Sequence, residues 1–169
     1  MAGDGCGFKY GADGLQDYSI VRRTTTNCVA YDNRTRGFSQ ESARVRKIFY
    51  NNTAYANNTW GFSFYGYDIN DIVRNNVSFG NDDGNVEALG TTRISDHNTW
   101  DSSTGVTVTA ADFVSVDGTQ LATARNSDGS LPTINFLHLV VGSDLINKGV
   151  DVGLTYLGTA PDLGAFERQ

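Results

Sequence analysis

Cysteine and proline are scarce in this 169-residue chain, with two of each. Cys6 and Cys28 do not make a disulfide framework, and their spacing is wrong for a metal knuckle. Cys28 falls inside a repeated strand phrase, which points to a small buried filler; nothing in the pattern requires a bridge between the two. No apolar run approaches the roughly 20 residues of a membrane-spanning helix. Basic stripes are missing as well. Lys and Arg total 13 against 19 Asp and Glu, for a net charge of −6, and the cations gather only locally at Arg34, Arg36, Arg44, Arg46 and Lys47. That balance argues against nucleic acid and membrane as partners. No secretory signal precedes the first repeat. Met1 lies inside what reads as a coil, so a preceding N-terminal portion is expected to be missing.

What the chain does have is repetition. Gly37-Phe38-Ser39 returns 24 positions later as Gly61-Phe62-Ser63, and Gly7-Phe8-Lys9 precedes it by 30. A second phrase runs in step: Asn27-Cys28-Val29-Ala30-Tyr31, Asn52-Thr53-Ala54-Tyr55, Asn76-Val77-Ser78-Phe79 and a fading Asn98-Thr99-Trp100, with Asn spacings of 25, 24 and 22 residues. Periods of this length signal a solenoid. Between the phrases lie runs such as Lys47-Ile48-Phe49-Tyr50 and Asp71-Ile72-Val73-Arg74. These are too short for helices and rich in β-branched and aromatic residues. The Leu lattice of a leucine-rich repeat is absent, whereas 19 Gly with many Asn and Asp mark turns.

The fold expected is all-β: a right-handed parallel β-helix in which each coil gives about three short strands to three parallel sheets. Coils stacked at roughly 4.7–4.9 Å place like on like. Phe8, Phe38 and Phe62 then form one interior stack, and Ala30-Tyr31, Ala54-Tyr55 and Ser78-Phe79 another. About four coils fill residues 1–103: 4–33, with an insertion around Gly11–Asp17, then 34–57, 58–81 and a degenerate 82–103, where Asn85-Val86-Glu87 replaces Gly-Phe-Ser. Residues 104–169 read as an irregular C-terminal segment that packs on the solenoid and caps it. Asn33, Asn51, Asn57 and Asn76 each begin an Asn-x-Ser/Thr triplet. Recurrence at coil corners favours a stacked side-chain amide ladder over glycosylation. A solenoid cut between coils exposes an unpaired sheet edge, so the N-terminal coil edge is an expected place of self-association.

Strand alternation puts Lys9, Ser39 and Ser63 on the outer face, one per coil, directly after the inward Phe residues. Such a row is a platform for a linear polymer. Arg36, Gln40, Glu41, Tyr65 and Tyr67 surround it, with Arg suited to ligand carboxylates and Tyr to sugar faces.

Gly5-Cys6-Gly7-Phe8-Lys9-Tyr10-Gly11 resembles the Gly-x-Gly-Phe-Lys-Leu-Gly segment of family 9 polysaccharide lyases, the pectate lyase L type. Asn27–Asn33, Arg36–Gln40 and Tyr50–Tyr55 resemble its successive coils. So do Asp112–Ser115, Asp128–Pro132 and Ala160–Glu167, in the same order. The resemblance implies a right-handed β-helix, calcium as cofactor, β-elimination on polygalacturonate with Lys9 as the base, and an extracellular location. The outward platform supplies the candidate substrate contacts, Arg36, Ser39, Gln40 and Tyr65. The family's calcium carboxylates precede the Gly-Phe-Lys coil, so metal ligands in this chain are not identified: Asp4, Asp13 and Asp17 make a poor set, and Asp82-Asp83 reads as a turn. Ser39 stands where many relatives have Asp. The chain reads as a shortened, C-terminal part of such a lyase. The alternative is a non-catalytic β-helix module that binds acidic polysaccharide.

Overall fold

Short runs of branched and aromatic residues, each ended by a residue in the left-handed conformation, wind this chain into coils. The computed structural model describes residues 3–11 and 16–168, so most of the expected insertion lies outside the described residues. The first coil holds β1 (Phe8–Lys9), β2 (Gln16–Thr26) and β3 (Val29–Tyr31). The second holds β4 (Phe38–Ser39), β5 (Arg44–Tyr50) and β6 (Thr53–Tyr55), and the third β7 (Trp60–Ser63), β8 (Ile72–Arg74) and β9 (Val77–Phe79). The fourth contributes β10 (Gly84–Glu87) and β11 (Ile94–Asp96). All pairings between these strands are parallel and give three sheets: A (β1-β4-β7-β10), B (β2-β5-β8-β11) and C (β3-β6-β9). This is the right-handed parallel β-helix expected from the repeat.

The corner between sheets B and C explains the repeat's punctuation. Asn27, Asn51, Asn75 and His97 occupy it with φ of 52°, 53°, 59° and 56°, a region costly for most side chains and least so for Asn and Asp. The following residue bears the ladder. The Asn76 carboxamide oxygen accepts from the Asn52 backbone N–H and side-chain amide, both at 3.0 Å, and Asn98 does the same for Asn76 at 2.9 and 2.8 Å. The Asp101 carboxylate accepts from Asn98 at the last rung, and the Cys28 N–H donates to Asn52 at the first. A second ladder, Asn33–Asn57–Asn81, runs along the corner after sheet C. The amide ladder is therefore present, with one correction. Val29 pairs with Thr53, so Asn27 aligns with Asn51 in the left-handed row, and Cys28, not Asn27, holds the ladder position.

Inside, Phe8, Phe38 and Phe62 stack with ring centroids 4.7 and 4.6 Å apart, and Trp100 closes the column 5.0 Å from Phe62. A side chain at Gly61 would put its Cβ 2.0 Å from the Ser78 hydroxyl, which is why the phrase begins with glycine. The second expected stack divides. Ala30, Ala54 and Ser78 are buried between the sheets, whereas Tyr31, Tyr55 and Phe79 alternate to the outer face of sheet C. There the tail covers them. Phe79 stacks on Phe113 at 4.8 Å, and Phe136 meets Tyr31 edge-on at 5.0 Å. Asn51 donates to the Asp162 carbonyl, and Asn75 exchanges two bonds with Val150. Gly164 fits because a Cβ there would lie 2.8 Å from the Thr53 hydroxyl. The tail thus lies against the outer face of sheet C.

Replacing Asn76 by Leu should cost at least ~3 kcal/mol, since several buried partners lose their hydrogen bonds at ~1–3 kcal/mol each. Asn33→Ala, at the end of its ladder, should cost about 1 kcal/mol or less. Chemical denaturation midpoints check both.

Candidate functional site on the outer face of sheet A

Register places Lys9, Ser39, Ser63 and Glu87 in one row, a residue per coil, behind the inward Phe8, Phe38, Phe62 and Val86. Lys9 heads the row and is exposed, its ammonium paired with the Asp4 carboxylate. That hydrogen bond holds the Lys9 pKa above the ordinary lysine value and the Asp4 pKa below that of an ordinary carboxylate. A lysine acting as base needs the opposite shift.

Ser39 and Ser63 point outward but are only 1% exposed, because acidic side chains fold over them. Ser39 donates to Glu41 at 2.8 Å, and Ser63 donates to Glu87. Arg36 lies beside this row, and its Nε donates to Glu87 at 3.2 Å across the intervening coil. Tyr65 is 66% exposed on the rim, where Glu41, Ser42, Gly66 and Tyr67 complete a shallow cavity. The Arg44 guanidinium lies 4.3 Å over the Tyr67 ring and hydrogen-bonds its hydroxyl.

Gln40 does not join them. It is 1% exposed and lies behind the rim, where its amide donates to the Tyr67 carbonyl at 2.8 Å and its oxygen accepts from Arg93. Buried there, it supports the Tyr65–Tyr67 loop. Arg93 donates to the same carbonyl, lies 4.6 Å over the Phe64 ring and pairs with Asp71 at 3.3 Å. Lys47 pairs with the other Asp71 oxygen at 3.2 Å. Lys47 and Asp71 are fully buried, so Lys47 does not belong to the surface basic cluster read from the sequence. Burial pushes the Lys47 pKa down and that of Asp71 up, and their pairing opposes both shifts.

Reading the sequence missed Glu87, Arg93 and Asp71. Glu87 left a signal, since it replaces Ser at the row position of the degenerate fourth phrase. Arg93 and Asp71 left none, because interior charges among strands look like outward ones when alternation shifts at a corner.

Similarity to known proteins extends over this whole arrangement. Pectate lyase L of Dickeya chrysanthemi is 36% identical over 173 residues, 99% of this chain and 38% of that protein. The crystal structure of pectate lyase Pel9A superposes with a TM-score of 0.80 at 34% identity, covering 100% of this chain and 40% of that one. The chain belongs to the pectate lyase L type of polysaccharide lyase. Pectate lyase L of Dickeya dadantii (strain 3937) is 46% identical over 72 residues, 42% of this chain and 16% of that protein. A rhamnogalacturonan lyase matches with a TM-score of 0.59 and 26% identity over 70% of this chain and 30% of that structure. No protein-family model matches the chain. It spans about two-fifths of the length of its full-coverage pectate lyase relatives.

Calcium dependence goes with the family, and calcium takes six to eight oxygen ligands. The carboxylates here do not fit it. Asp4 is engaged by Lys9, Glu41 by Ser39, and Glu87 by Arg36 and Ser63, and no group of three or more His, Cys, Asp or Glu converges among the described residues.

Asp71→Asn would leave two buried cations without their carboxylate and should destabilise the fold by ~3–5 kcal/mol. Loss of denaturation midpoint would come with faster amide exchange across residues 64–68.

Proposed function

We propose that the outer face of sheet A binds a uronate polymer, and that Lys9 is the base of a β-elimination on it. The observation that carries this reading is the exposed Lys9 at the head of an in-register polar row, with Arg36 on the next coil and Tyr65 on the rim. The similarity to pectate lyases supports it. In this reading the Arg36 fork and the rim tyrosines hold the polymer through its carboxylates and ring faces. Neutral Lys9 takes the proton from the carbon alpha to a uronate carboxylate. The electron pair forms a carbon–carbon double bond, the glycosidic carbon–oxygen bond breaks, and the departing oxygen is reprotonated. The stem of Lys9 stands in solvent, so its ammonium must lose a proton before it can act.

A second reading, a β-helix module that binds acidic polysaccharide without cleaving it, is favoured by the Asp4–Lys9 pair, which keeps the lysine protonated.

Absorbance of unsaturated product separates the two. Purified chain and polygalacturonate at alkaline pH, with calcium and then chelator, should give product that Lys9→Ala abolishes while polymer binding survives. Binding without product in a well-folded sample would establish the module instead. For an active chain, Asp4→Asn removes the contact that raises the Lys9 pKa. More Lys9 is then neutral at a given pH, and the acid limb of the pH–rate profile should move to lower pH.

A further inference from the structure

We infer that Glu87 is an internal anionic stop on the polymer face, occupying the Arg36 position that a ligand carboxylate would otherwise take. The inference rests on the uronate-binding reading above and adds the limit of the bound segment. A polymer lying along the solenoid axis crosses the strands of sheet A and meets one outward row residue per coil, at roughly 4.7–4.9 Å per step. Charge near that path changes along it: the first two coils carry cations beside anions, Lys9 with Asp4 and then Arg34 and Arg36 with Glu41, whereas Asp82, Asp83 and Glu87 of the fourth are all acidic.

Glu87 does more than repel. Its carboxylate reaches back over the third coil, accepting from the Ser63 hydroxyl and pairing with Arg36 Nε at 3.2 Å. With Ser63 covered in this way to 1% exposure, as Ser39 is by Glu41, the row beyond Lys9 offers a polyanion neither a free donor nor a free cation. Arg36 and Glu87 remain 30% and 22% exposed at their side chains, so the pair sits at the surface where a competing carboxylate can reach it. A uronate chain therefore gains from the first two coils and loses at the fourth. Glu87 sets how many units are held.

Calorimetric titration with reduced oligogalacturonates of increasing length, at low salt, tests this. For the wild-type chain, affinity should rise with length and then level off. Glu87→Gln keeps an acceptor for Ser63 and removes the charge. It should extend the rise to longer oligomers, with a gain of roughly tenfold for these and little for the shortest. Asp83→Asn removes a nearby exposed charge that does not touch Arg36 and should leave the plateau where it was. Adding Arg36→Ala to Glu87→Gln should cancel the extension. Equal length dependence in wild type and Glu87→Gln, or an equal gain at every length and in Asp83→Asn, would overturn the stop while leaving uronate binding intact. Absence of binding to any oligomer by both wild type and Glu87→Gln would overturn the uronate-binding reading itself, and the stop with it.

Discussion

The rest of this molecule depends on the side-chain amides that run from coil to coil. Each ladder carboxamide does two things at once. Its oxygen takes the N–H of the preceding rung's backbone and side chain, and its NH2 reaches carbonyls such as those of Phe49 and Ala30. A rung displaced by one residue would bury an amide without partners, at a cost of ~1–3 kcal/mol per lost group. Register is thereby fixed at the corners, where most of the strands, two to four residues long, could not fix it alone. The left-handed residue just before each rung, Asn51, Asn75 and His97 along one ladder and Asp32, Ala56 and Gly80 along the other, turns the chain sharply enough for the ladder to close.

Corners set in register also set the surfaces. The inward phenylalanines stack because the corners align them, and the residue after each phenylalanine is carried outward into the same row. The site is a by-product of that stacking: Lys9, Ser39 and Ser63 each follow a Gly-Phe pair and Glu87 follows Asn-Val, and a shared position in the coil brings all four together. The interior charges act from the other side of the same wall. Asp71, held between Lys47 and Arg93, fixes Arg93, and Arg93 with Gln40 fixes the carbonyl of Tyr67. The exposed tyrosine loop is therefore tied to the core through a chain of buried polar contacts and not through apolar packing.

The solenoid and its ladder were legible in the sequence because period and residue type agree: Gly-Phe at one face, Asn at one corner. The one-residue error at Asn27 arose where two adjacent asparagines, Asn51 and Asn52, have different roles, which only the pairing of Val29 with Thr53 separates. Lys9 could be placed on the outer face by alternation. Gln40 could not, since the strand ends at Ser39 and the next residue turns under the rim. Tyr31, Tyr55 and Phe79 looked like core residues, and their burial comes from a tail whose path no period describes.

That tail gives the chain two tiers of contact distance. Coil stacking joins residues about one repeat apart, such as Asn33 with Asn57 at a separation of 24, whereas the flank is closed by Asn51 with Asp162 and Thr53 with Ala165, at separations of 111 and 112. Local pairing forms fast and distant pairing slowly. As the polypeptide leaves the ribosome, the coils can therefore assemble in order while the aromatic flank of sheet C stays bare, until the segment from Phe113 onward emerges to cover it. The stretch of synthesis between those two moments is when this chain is most exposed to sticking to a neighbour.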